Sequence, residues 1–140
     1  VFYSVFDIVN VKADNGIVTL EGTVTEPYKK TAFAQDILKQ VPAVKEVKNN
    51  IEVLPPSSND DMLRLVIARK IYSNDSLLRY GLTKWPYPIH ILVRNGHVRL
   101  IGQVETEMDK TLVNNEVRGI PGIVSVRNDL TTASEHSKMD

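Results

Sequence analysis

Asn15-Gly-Ile-Val-Thr-Leu-Glu-Gly-Thr-Val24 returns at an offset of 80 as Asn95-Gly-His-Val-Arg-Leu-Ile-Gly-Gln-Val104, with six of the ten positions identical. Downstream, Pro42-Ala-Val-Lys-Glu-Val-Lys-Asn49 lies over Pro121-Gly-Ile-Val-Ser-Val-Arg-Asn128 at an offset of 79, with three of eight identical. Unrelated segments of average composition share roughly one position in fifteen. The chain is therefore a duplication, and the slip between the two offsets is an ordinary loop adjustment.

Each repeated block opens on Asn-Gly flanked by alternating apolar residues. That pair suits a type I′ turn, which needs φ > 0 at both central positions. With Asn95 and Gly96 as the turn, Val93 pairs with Val98, Ile91 with Leu100 and Ile89 with Gly102. The first copy gives Ala13 with Val18, Val11 with Leu20 and Val9 with Gly22. Both registers place the apolar residues on one sheet face, and a slip by one residue would turn them all to solvent.

Working outward, Pro55-Pro-Ser-Ser-Asn-Asp60 reads as a linker, because paired prolines and small polar residues break periodic structure. In the second copy Asp60 or Asp61 is placed to cap a helix from about Met62 to Ser73, with Leu63, Val66, Ile67 and Ile71 at helical spacing. A helix follows each hairpin. Thr25 is placed to cap the first, with Pro27 in its first turn, and Thr106 with Asp109 resembles a capping box for the second. Gly119 is placed to stop the later helix, and Ile123, Val124, Val126 and Leu130 form a last strand. After Thr132 the chain is polar and unpatterned. The fold class is α+β: two repeated αββαβ modules, each a three-stranded mixed sheet with helices on one face. The expected boundaries are 1–54, a linker at 55–60, a second module at 61–131 and a tail at 132–140. The first copy has too few residues ahead of its first strand for a full helix and lacks most of it.

Within 140 residues each module is small, and a domain of that size buries only about 60% of its unfolded surface. Packing of the second copy on the open face of the first is the expected relief, with residues before Val1 or another chain as alternatives. Hydrophobic residues make up 42% of the chain and charged residues 24%, ordinary for a globular protein. No apolar run reaches the ~18 residues of a membrane span. Opening on Val1 rather than Met suggests that an upstream segment, with any secretion or lipidation signal, has been removed. Without cysteine there is no disulfide or thiolate metal site, which fits any compartment. Net charge is zero, yet Met62 to Arg99 holds Arg64, Arg69, Lys70, Arg79, Lys84, Arg94 and Arg99 against Asp75, a local +6. Such an excess speaks of partners rather than of fold.

The ordered set of helix, strand, Asn-Gly, Val-x-Leu-x-Gly-x-Val, helix and (Val/Ile)-Pro-Gly-(Ile/Val)-x-x-Val-x-Asn resembles the BON domain (bacterial OsmY and nodulation), here in tandem. In the second copy Asn95, Gly96, Val98, Leu100, Gly102, Val104, Gly122, Ile123, Val126 and Asn128 carry it. The resemblance implies a non-enzymatic module of the bacterial envelope, periplasmic or secreted, with the cytoplasm left open. Some tandem members are lipoproteins that bind anionic phospholipid mainly through the first helix of the second copy. Others belong to potassium-binding or ring-building proteins, and the name itself carries an association with osmotic stress.

The residues offer little chemistry of their own. His90 and His97 point to the outer face of their hairpin on rungs roughly 13 Å apart, and a shared metal needs ligands ~2 Å away. His136 is in the tail. No nucleophile elbow, His-Glu-x-x-His or phosphate-cradling loop is present, and Gly102 is expected to admit close helix packing. No catalysis, cofactor or metal is expected. The basic window is the candidate site. On a wheel with Leu63, Ile67 and Ile71 facing the core, Leu65, Ala68, Arg69 and Tyr72 point outward, Arg64 flanks them and Lys70 lies at the edge, its stem free to snorkel. Tyr80, Trp85 and Tyr87 follow in a loop. Apolar wedges beside cations suit an anionic membrane surface, and tryptophan suits its interfacial zone. The lipid-binding set is thus Arg64, Leu65, Arg69, Lys70, Tyr72 and Trp85. The competing expectation is packing of this face on the first copy, or a protein-protein or self-association surface without lipid. A KH-like RNA reading is disfavoured, because no Gly-x-x-Gly loop joins helices and the chain is not basic overall.

Overall fold

The Asn-Gly pairs set both sheets. In a computed structural model that describes residues 4–82 and 87–133, Asn15 and Asn95 have φ of 50°, with Gly16 at 82° and Gly96 at 80°, the left-handed geometry a type I′ turn requires. Strand β1 (Ile8–Asp14) pairs antiparallel with β2 (Ile17–Val24), and β2 pairs in parallel with β3 (Glu46–Val53), reached through helix α1 (Pro27–Gln40). The second module repeats this with β4 (Ile89–Arg94), β5 (His97–Val104), helix α4 (Glu107–Arg118) and β6 (Ser125–Thr132). It also has α2 (Ser58–Tyr72) and the single turn α3 (Leu78–Gly81) ahead of β4. Every strand pair expected from the sequence is found, from Ala13 with Val18 to Ile89 with Gly102. The chain divides into two units, Val1–Pro56 and Ser57–Asp140.

Equivalent polar residues fasten the helices. Asn49 Nδ2 donates to the Lys30 carbonyl while its Oδ1 accepts from Ile51 N–H. Asn128 repeats both bonds with Lys110 and Leu130. The last strand of each module is thereby tied to its second helix. Lys29 and Asp109 occupy the same place, one turn into those helices, and both are buried. Lys29 Nζ donates to Asp7 Oδ2 at 2.8 Å and to Thr25 Oγ1 at 2.8 Å. Asp109 accepts from the Arg79 guanidinium and, at 2.5 Å, from the Tyr80 hydroxyl. One fastening point thus carries opposite charges in the two modules, each matched by the segment preceding the first strand.

Several local expectations are corrected. Ser57, not Asp60 or Asp61, caps α2 by accepting from Asp60 N–H at 3.1 Å, so the helix begins inside the expected linker. Glu26 rather than Thr25 stands at the N-cap of α1, because Thr25 Oγ1 is taken by Lys29. Thr106 does cap α4, accepting from Asp109 N–H at 3.1 Å. Gly102 serves a strand contact, not a helix: a Cβ there would lie 2.0 Å from the Pro88 carbonyl oxygen, and a Cβ at Gly22 would lie 2.0 Å from the Ile8 carbonyl oxygen.

The modules differ in how far their apolar face is covered. In the second, Ile89, Ile91 and Val93 are fully buried, because α2 lays Leu63, Ile67 and Ile71 over them. Each such side chain contributes about 1.5–3 kcal/mol on burial. In the first module Val18, Leu20, Val24 and Ile51 are buried beneath Phe33, Ala34 and Ile37 of α1. Ahead of β1 there is a turn at Ser4–Asp7, and Val11 is 51% exposed. Along β1 Ala13 is exposed as well. Of the apolar opening segment, Val1, Phe2 and Tyr3 lie outside the described residues.

Candidate functional site

Helix α2 is apolar on two faces. Leu63, Ile67 and Ile71 point into the second module, while Met62 (65% exposed), Leu65 (58%) and Val66 (38%) point away from it. With exposed Arg69 these fall at i, i+3, i+4 and i+7, one continuous stripe of helix surface. A surface helix normally keeps that side polar. Val66, expected in the core stripe, belongs to the outer one.

The inner face is held by charge as well as by packing. Asp60, 1% exposed, accepts from Asn95 N–H at 2.8 Å and from Gly96 N–H at 2.9 Å, closing the I′ turn against the first turn of α2. Arg64 Nη2 donates to the Val93 carbonyl at 2.8 Å, and Nη1 to Asp61 Oδ1 at 2.6 Å. Arg64 is therefore a buried strut between helix and sheet. Its expected place on the outer face is corrected: its guanidinium offsets a strand carbonyl instead of meeting solvent.

Tyr72 also turns inward. Its ring lies against Gly81 of α3, where a Cβ would come within 2.7 Å of it. Its hydroxyl is buried with no hydrogen-bond partner among the described residues, and burial pushes its pKa up to about 12. Leu65 and Arg69 keep their expected exposure, and Lys70 stands at the edge, 3.9 Å from Glu116. Trp85, with Lys84, lies outside the described residues.

The rest of the basic window is dispersed. Arg79 pairs with Asp109 and with Glu105 at 3.3 Å while stacking 4.6 Å over the Tyr80 ring. Burial, then the bond to Asp109, raises the Tyr80 pKa. Arg94 and Arg99 leave the sheet on the side opposite the buried Val93 and Val98. There Arg99 at 2.7 Å and Arg127 at 2.9 Å share Asp129, whose carboxyl is held below its ordinary pKa, first by the Arg99 hydrogen bond. The described cations of the basic window therefore do not form one patch. Linear counting cannot tell a strut such as Arg64 from a surface cation.

His90 and His97 sit on the rungs expected for them, and His97 Nδ1 lies 2.7 Å from Ser125 Oγ. Among the described residues no group of three or more His, Cys, Asp or Glu side chains is placed to hold a metal ion. No described helix is long and apolar enough to cross a membrane.

The BON domain family model matches residues 7–55 and 75–134, one segment in each module. Neither segment includes α2. No curated protein matches the chain. Among solved structures, the C-terminal domain of CdsD, a structural protein of the type III secretion system of Chlamydia trachomatis, is similar at 16% identity and a TM-score of 0.39. The match covers 89% of this chain and 56% of that one, so this chain spans just over half its length. A second CdsD structure is similar at 15% identity and a TM-score of 0.32, covering 94% of this chain and 89% of that one. With the family pattern matched in both modules, on the duplicated sheets and hairpins described above, this chain belongs to the BON domain family as a tandem member.

Proposed function

We propose that this protein is a non-catalytic docking module of the bacterial cell envelope, periplasmic or secreted, and that the outer face of α2 is its docking surface. The observation that supports this most is the exposed stripe of Met62, Leu65 and Val66 beside Arg69, on a helix whose opposite face already fills a core. Apolar side chains flanked by a cation suit the surface of an anionic phospholipid membrane, where each arginine or lysine adds about 1 kcal/mol. Arg69, Leu65 and Lys70 remain in the lipid-binding set, and Met62 and Val66 join it. Arg64 and Tyr72 act from beneath, holding the helix in place.

A protein partner is the second reading. It is favoured by the loss of Arg64 to the interior and the pairing of Lys70 with Glu116, which leave a stripe more apolar than cationic. Methionine and arginine are both enriched at protein interfaces.

Liposome co-sedimentation separates the two. If the membrane reading holds, the chain pellets with anionic vesicles, binding falls as salt rises, and Arg69→Glu with Lys70→Glu abolishes it without loss of fold. Arg64→Glu is unsuitable, because it would place a carboxylate against the Val93 carbonyl. Unchanged binding by the double variant removes the site, and equal binding to neutral vesicles removes the electrostatic mechanism. No binding to either, with Leu65→Asp abolishing capture of an envelope protein, selects the protein partner.

A further inference from the structure

Each sheet also has an outer face, on the side away from its helices, built from the alternate residues of the same strands. The duplication allows the two outer faces to be compared position by position. On its strands the second carries Arg94, Arg99 and Arg127 against Asp129, three charges against one and a net +2. The first carries Asp14, Glu21, Glu46 and Glu52 against Lys12 and Lys48, four against two and a net −2. The chain as a whole is neutral, so the two faces have divided its charge between them.

Fold stability does not ask for this division. Asp14 and Arg94 hold the same place, at the turn ends of β1 and β4, so the sheet accepts either sign there. Arg99 and Arg127 are partners on neighbouring strands, where like charges directly opposite destabilise a sheet. In the first module the same place pairs Thr19 with Lys48. Asp129 is shared by both guanidiniums and offsets one charge of the two, while their side chains stay 49% and 72% exposed. The second module thus keeps a surface excess of guanidinium that works against its own sheet.

The order of the charges matches as well. Two such faces stacked with their turn ends apart lay β1 over β4, β2 over β5 and β3 over β6. Glu21 then faces Arg99, Lys48 faces Asp129, and Glu52 comes beside Arg127, as the registers of both sheets require. Stacked with the turn ends together, Lys12 falls on Arg127 instead. We infer that this protein associates with a second copy of itself, the acidic outer face of the first module in one copy seated, turn ends apart, on the basic outer face of the second module in the other. The pairing uses neither α2 nor any residue ahead of β1. Three strands of about seven residues make a face of roughly 14 by 23 Å, the scale of a weak, transient contact.

Sedimentation equilibrium of the full chain, from about 10 µM to about 1 mM, reads the association. It is expected to grow with concentration and to weaken at least roughly tenfold between about 0.05 and 0.5 M salt, because exposed charges carry it. Glu21→Arg with Glu52→Arg turns the first face to a net +2, and Arg99→Glu with Arg127→Glu turns the second to a net −2. Either double variant alone associates at least roughly tenfold more weakly, since its two faces now bear one sign. Mixed in equal amounts, the two variants present opposite faces again and association returns, which unfolded variants could not do. A monomer at every concentration up to about 1 mM overturns the inference. Association indifferent to salt or to both reversals overturns it too, as does loss in both variants without recovery on mixing. Loss with Leu65→Asp but with neither reversal gives the contact to α2 and rejects the sheet faces, leaving the docking role of that helix intact.

Discussion

Replacing Asp7 by alanine and Lys29 by methionine removes opposite halves of one buried pair, and the two losses should differ severalfold. Asp7 is 1% exposed and Lys29 is 5% exposed. Without Lys29, the Asp7 carboxylate still accepts from Ser4 N–H at 2.9 Å, from Thr25 N–H at 2.9 Å and from both hydroxyls. It stays hydrogen-bonded, so Lys29→Met costs on the order of 1–2 kcal/mol, one charge-assisted bond partly offset by apolar packing. Without Asp7, the Lys29 ammonium keeps only Thr25 Oγ1, and the Ser4 and Thr25 amides lose their acceptor. A buried charge stripped of its partner costs about 3–5 kcal/mol. Asp7→Ala should therefore consume most of the stability of so small a module. Because two units unfold in one chain, a single melting curve does not resolve the effect. Hydrogen exchange at Val18 and Leu20 does, each 1.4 kcal/mol appearing as about a tenfold faster rate. Equal acceleration by the two variants, or less than about tenfold from Asp7→Ala, would refute the reasoning.

Two further outcomes follow from single atoms. Gly102→Ala should destabilise the second module by several kcal/mol, on the order of 3 or more, because φ is 140° and the new Cβ would meet the Pro88 carbonyl oxygen at 2.0 Å. Gly119→Ala, with φ of −80° and nothing within 4 Å of its Cβ, should be neutral or stabilising by about 0.5 kcal/mol; urea denaturation compares the two. Tyr72 should ionise only near pH 12, a folded-state pKa above the ordinary 10.0. Its contribution to stability is then complete below about pH 10 and is lost as pH rises toward 12, because the unfolded state releases its proton first. Tyr72→Phe, read by ultraviolet titration and denaturation, should delete a tyrosine that titrates near pH 12 and leave stability equal or higher, since among the described residues its buried hydroxyl has no partner.

How much the sequence disclosed depended on how local the governing physics is. The hairpins were fully legible, register included, because a period-2 apolar pattern and an Asn-Gly turn admit one alignment. The starts of α1 and α2 were misplaced because competing acceptors stand within three residues of each other, and tertiary demand decides among them. Asp60 looks like a cap, but the Asn95–Gly96 turn takes its carboxylate, and Ser57 caps in its place. The basic window misled for the same reason at longer range. A helical wheel sets Arg64 beside the solvent face, but the Val93 carbonyl draws it inward. Tyr72 is carried under by Gly81, on a single-turn helix whose four residues leave no periodicity to read. Exposure of Leu65 and Arg69 was legible, since it requires only that Leu63 and Ile67 face the sheet.

The pattern of likeness and difference between the modules indicates where specificity resides. Positions whose role belongs to the backbone are the same residue in both: Asn and Gly at the turns, Gly22 and Gly102 beneath a neighbouring carbonyl, Asn49 and Asn128 bracing a strand. Where the requirement is only a buried ion pair, the chemistry has inverted, with Lys29 facing Asp7 in one module and Asp109 facing Arg79 in the other. Either polarity satisfies the fold, because what matters is that neither charge is buried alone. The largest difference among the described residues is that α2 and α3 precede β4 where a turn at Ser4–Asp7 precedes β1. The inner face of α2 is accounted for by the sheet beneath it, and among the described residues of its module nothing covers Met62, Leu65 and Val66 on the outer face. If fold stability alone had shaped α2, its outward positions would be free to be polar, and Lys or Glu would serve better in water than Met62, Leu65 and Val66. An apolar side chain there has a use only when a surface comes to meet it. On the proposed reading, docking therefore belongs to the outer face of α2.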